Sequence, residues 1–166
     1  MSGCLVTDSV DFKEEENLPP ILSDQLDSKY PISSIVSIDR ANSEGGEIVF
    51  TPQVRDENIM QELQTRYELS SQQEAVSTVG VGPDIYPSGE ATRHFDFSIP
   101  VTTIIQDHCY RLQLVVTSEF DNHSMIWDKP LKEGDIARAK WWIVEEGADM
   151  VEDCAILKYE ANETSP

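Results

Sequence analysis

Positive charge is scarce in this 166-residue chain: twelve lysines and arginines stand against thirty-one aspartates and glutamates, a formal net charge of −19. With so few cations there is nothing to replace the counterions of a phosphate backbone, so nucleic acid is excluded as a partner. The same balance disfavours attraction to an anionic membrane face. Long apolar runs are missing as well; none approaches the roughly 18 residues that would mark a membrane-spanning helix. Histidine is rare, with only His94, His108 and His123. None has a second histidine or a cysteine at the spacing of a metal-binding helix, and on a strand the adjacent His108 and Cys109 diverge. There is no phosphate-cradling loop, because Gly80-Val81-Gly82-Pro83 ends in proline and opens no helix. No Gly-x-Ser-x-Gly elbow appears either. The expectation is therefore no enzyme, no catalytic residue, no metal and no cofactor.

What the chain does contain is short apolar alternation punctuated by turns. In CYRLQLVVTSEF, Tyr110, Leu112, Leu114 and Val116 fall on one face. In IARAKWWIV, Ala137, Ala139, Trp141 and Ile143 share a face, with Arg138, Lys140 and Trp142 on the other. RHFDFSI places Phe95, Phe97 and Ile99 inward, and EIVFTPQV does the same with Ile48, Phe50 and Val54. ISSIVSID supplies an earlier strand and AVSTVGV an edge strand with a flexible glycine. Pro52 cannot donate to a ladder, so an edge or a bulge is expected there. Residues 56–70 read two ways. Ile59, Leu63 and Tyr67 are spaced as on a helix, whereas Leu63, Thr65, Tyr67 and Leu69 alternate as on a strand; a loop at 56–58 followed by a strand is favoured because both neighbours are strands. VTTIIQDH reads as a short helical turn or crossover. About seven strands with turns between them predict an all-β antiparallel sandwich.

Charge sets the expected domain limits. Residues 1–29 hold seven acids and two lysines, and residues 145–166 hold seven acids and one lysine. Solvated ends of this kind suggest a flexible acidic tether over 1–29, a sandwich over 30–146 and an acidic tail over 147–166. The loop EFDNHS offers oxygens of Glu119, Asp121 and Asn122 to calcium without the order of a dedicated site, so a solvated loop is preferred.

Three cysteines make an odd count. A Cys109–Cys154 bridge would pin the tail, close a loop of about 45 residues and contribute on the order of 3–4 kcal/mol. Three separate thiols are the alternative. Ser2-Gly3-Cys4 resembles the end of a bacterial lipobox, and LVTDSVDFKEEENLPPIL resembles the acidic, proline-containing tethers of Gram-negative lipoproteins. The segments QVRDENIMQELQTRYEL, DHCYRLQLVVTSEF and GDIARAKWWIV further resemble such lipoproteins with an immunoglobulin-like or fibronectin-III-like sandwich. The resemblance implies lipidation at Cys4 and anchoring at the outer membrane. It also implies a non-catalytic accessory module that meets a protein partner in the cell envelope. Trp142, outward between strands and flanked by Lys140 and Arg138, is the candidate interface anchor. The alternative is a secreted or periplasmic carbohydrate-binding or carbohydrate-active protein using the same aromatic.

Overall fold

The computed structural model describes residues 18–39, 46–71, 77–104 and 109–145. Apart from 3-10 turns such as Val101–Thr103, its regular elements are strands: β1 Ile21–Asp24, β2 Ile35–Ile38, β3 Glu47–Phe50, β4 Pro52–Arg55, β5 Gln64–Ser71, β6 Ser77–Val81, β7 Thr92–His94, β8 Phe97–Pro100, β9 Tyr110–Thr117 and β10 Ala137–Glu145. One sheet runs β2-β10-β9-β5-β6, antiparallel except for the parallel pair of β2 with β10. Facing it are β1-β4-β7 and β3-β8.

These last two are a single sheet with an interruption. Phe50 lies opposite Phe97 and Gln53 opposite His94, the same offset, so the β4–β7 ladder continues β3–β8 without a slip. Pro52 explains the break: it has no N–H to give, and the Phe95 N–H opposite reaches Pro52 O at only 3.4 Å. The proline is therefore not on an edge, since β4 lies between β1 and β7. It is tolerated as the first residue of its strand.

The expected alternation holds. Ile48, Phe50, Val54, Phe97, Ile99, Leu112, Leu114, Val116, Ala139, Trp141 and Ile143 all belong to one buried cluster. Rings from both sheets meet at its centre: Phe50 lies 5.0 Å from Phe97 and 4.9 Å from Trp141, centroid to centroid. Burying one such side chain stabilises by about 1.5–3 kcal/mol. Trp141 also donates its indole N–H to Tyr30 O at 3.0 Å, which satisfies its one polar atom. The result is an all-β, immunoglobulin-like sandwich.

Residues 64–71 are a strand, not a helix, and Asp56 caps a turn by accepting from Asn58 N at 3.0 Å. The edge strand expected at 75–81 is β6, whose described part begins at Ser77. Its glycine has a packing reason: Tyr67 lies opposite Gly80, and a Cβ there would fall 2.2 Å from the tyrosine ring. The expected N-terminal tether is also corrected. The tether drawn over 1–29 contains β1, which pairs with β4, and Leu22 packs against the core. A four-residue strand is too short to show a period, so only its pairing reveals it.

Candidate functional site

The residues singled out in the sequence do not converge. Cys4 and Cys154 lie outside the described residues. Cys109 is 2% exposed, packs with Val144 at the end of β10, and is not a free thiol. Trp142 does point away from Trp141, yet it is only 5% exposed. Arg111 of β9 and Ile35 of β2 flank it in register, so the exposed aromatic anchor expected there is corrected to a covered one. That removes the aromatic on which the carbohydrate reading depended. Arg138 is committed within the chain, donating Nε and Nη2 to Asp128 Oδ2 at 3.2 and 2.9 Å. Lys140 remains exposed. Among the described residues, no three or more histidines, cysteines or acids come together as a metal site.

The structure instead draws attention to residues 118–136, the long connection between β9 and β10. Asp135, 3% exposed, fastens its base: Thr117 Oγ1 donates to Asp135 O at 2.5 Å, and Ser118 gives both its N–H and its hydroxyl to the Asp135 carboxylate. Above the base the two arms pair, with Leu131 N on Glu119 O at 2.8 Å and Asp121 N on Lys129 O at 2.9 Å. Phe120 is buried under the Arg66 guanidinium, which sits 4.2 Å from the ring centroid. Arg66 also donates to Trp127 O at 3.0 Å and to Asn122 Oδ1 at 2.5 Å. Arg66 and Arg138 flank Val115 in register. As both reach into the connection, Val115 is completely buried on what would otherwise be an open sheet face.

Two of the three side chains considered for calcium, Asn122 and Asp121, are therefore already engaged. Asn122 accepts from Arg66, and Asp121 accepts from Lys129 Nζ at 2.9 Å and from His123 N at 3.0 Å. The Lys129 hydrogen bond, followed by that from His123, holds the Asp121 carboxyl below its ordinary value. Against this ordered framework the tip is apolar and bare. Met125 is fully exposed, Ile126 is 59% exposed and Leu131 is 53% exposed. Beside Leu131 is an open cleft of about 380 Å³ walled by Lys129, Pro130, Glu133, Gly134 and Ile136. Such a surface can bind an apolar partner. Its sequence signal is the run Met125-Ile126-Trp127 inside a polar, turn-rich loop.

No protein-family model matches the chain, and no curated protein matches it. Among solved structures, a crystal structure of the apo-form Calx CBD1 domain is similar at 17% identity and a TM-score of 0.34, over 76% of this chain and 97% of that one. The architecture assigned here rests on the strand pairing and burial described above.

Proposed function

We propose that the chain is a non-catalytic interaction module of a Gram-negative cell envelope, held at the outer membrane by acyl chains on Cys4 and docking a protein partner through the tip of residues 118–136. The observation that carries the docking is the contrast within that connection. Three cations clamp its framework, while Met125, Ile126 and Leu131 face water. A pre-ordered apolar tip loses little conformational freedom on binding, and methionine adapts to the shape it meets. The anchor rests on Ser2-Gly3-Cys4; more than one acyl chain on that cysteine is needed for stable attachment. A Cys109–Cys154 bridge belongs to the same reading, since an oxidising compartment permits it. Burial of Cys109 beside Val144, near the end of β10, favours it.

A photo-crosslinking amino acid at position 125, introduced in cells that make the protein naturally, tests the docking. One adduct of discrete mass is expected, and it disappears when Arg66→Ala loosens the framework. No adduct at 125, or one indifferent to Arg66→Ala, overturns the docking. Intact mass of the same membrane-fraction protein reads the rest: acylation at Cys4, and two hydrogens fewer for the bridge. An unmodified Cys4 removes the anchor.

A further inference from the structure

A second surface, formed by different residues, has a more definite chemistry. The turn-rich segment 82–95 walls an open cleft of about 440 Å³. Ile85, Arg93 and Phe95 form its floor, all at most 9% exposed, and Asp84, Tyr86 and Glu90 stand at its rim. The segment is held in place. Ile85 exchanges both backbone hydrogen bonds with Leu63, at 2.8 and 3.0 Å, and Tyr86, the next residue, is left 68% exposed.

The electrostatics select a ligand class. Arg93 contributes little net charge because Asp56 holds its Nη2 at 2.9 Å, both side chains being 3% exposed or less. Asp84 and Glu90 form no ion pair, and their carboxylates take no hydrogen bond, among the described residues. Two uncompensated carboxylates on a chain of −19 repel anions and concentrate cations. The exposed Tyr86 ring offers a π face, on which a planar guanidinium stacks more favourably than a strongly hydrated ammonium. The walled shape and the exposed tyrosine ring distinguish the cleft from two acids on a solvated loop.

We propose that this cleft binds an arginine side chain presented by a peptide, with Tyr86 under the guanidinium and Asp84 and Glu90 receiving its N–H groups. The proposal does not depend on the tip of residues 118–136.

The probe is a short capped arginine peptide, titrated into the full chain and followed by amide NMR shifts, with the neutral citrulline peptide as its isosteric control. Shifts are expected to centre on residues 84–95, and the arginine peptide should bind at least roughly tenfold tighter than citrulline. Tyr86→Ala, and separately Asp84→Asn with Glu90→Gln, should each weaken binding by about tenfold, whereas Tyr86→Phe keeps it. The double change moves the net charge only from −19 to −17. Diffuse attraction would therefore hardly respond, and unchanged affinity in that variant overturns the proposal. So does equal binding of citrulline, the absence of shifts at 84–95, or a neutral oligosaccharide occupying the same residues in place of arginine. All three sites lie at the surface, so loss of folding does not confound the comparison.

Discussion

Single residues carry their effect here through what they leave behind when changed. Asp56 and Arg93 are the clearest pair. Asp56 divides its carboxylate between Asn58 N and Arg93 Nη2, and Arg93 Nη1 reaches Gln61 O at 2.6 Å and Ile85 O at 3.4 Å. Together they tie the loop after β4 to β7 and to the segment before it. Asp56→Asn leaves a guanidinium buried without its counter-charge, which costs about 3–5 kcal/mol. Replacing both partners with apolar residues of similar size should cost much less, because no orphaned charge remains. Urea denaturation of the two variants checks this, and a cost below about 1 kcal/mol for Asp56→Asn would show that water reaches the site. The sequence placed Asp56 only in a loop, and nothing marked Arg93. A buried ion pair joins residues 37 positions apart, and no local pattern reports it. Trp142 was misplaced for a related reason. Alternation says which way a side chain points, not what lies over it.

Strands were legible because burying one face of a sheet writes a period of two into the sequence. β5 and the first half of β9 follow that pattern, and the helix reading of residues 56–70 fails because Leu63 and Thr65, two residues apart, are buried together while Thr65 pairs with Val116. The connection 118–136 has no period, and its order comes from contacts that span 56 to 61 residues, from Gln64 and Arg66. Acid should leave that order intact longer than the ordinary carboxylate range suggests. Asp121 has a lowered folded-state value, so its contribution is fully present above the ordinary 3.8 and is lost only as pH falls through the lower folded value. Carboxyl NMR titration should therefore place Asp121 below 3.8, with the Lys129 contact retained at that pH. The Met125 methyl resonance serves as a reporter of the tip. Asp121→Asn should broaden or shift it already at neutral pH, while the signals of β9 and β10 stay put. A midpoint for Asp121 at or above its ordinary value would mean that the Lys129 clamp is not formed in solution.

At the scale of the whole molecule the excess of acids opposes folding. Even if each of the twelve cations met one carboxylate, nineteen acids would remain. The surface pairs Arg55–Glu57, Lys129–Asp121 and Arg138–Asp128 are half-open to water, with cation side chains 44–61% exposed. Exposed pairs of this kind are worth about 0–1 kcal/mol each and weaken as salt is added. The buried Asp56–Arg93 pair is screened far less. Two effects of salt therefore compete, a small loss at a few surface pairs and a larger gain from damping repulsion among many carboxylates. Between ~0.01 M and ~0.15 M the screening length falls from ~30 Å to ~8 Å, which shields charges on opposite sides of a small sandwich from one another. Repulsion has more terms and a longer reach, so its relief should win. The melting temperature is expected to rise with sodium chloride, most steeply over that range, by about 2–4 °C for each kcal/mol relieved. Changing several unpaired surface acids to glutamine should reduce the dependence, since the variant begins with less repulsion to screen. A melting temperature that falls with salt would mean that the ion pairs, not the surplus carboxylates, dominate the energetics of this surface.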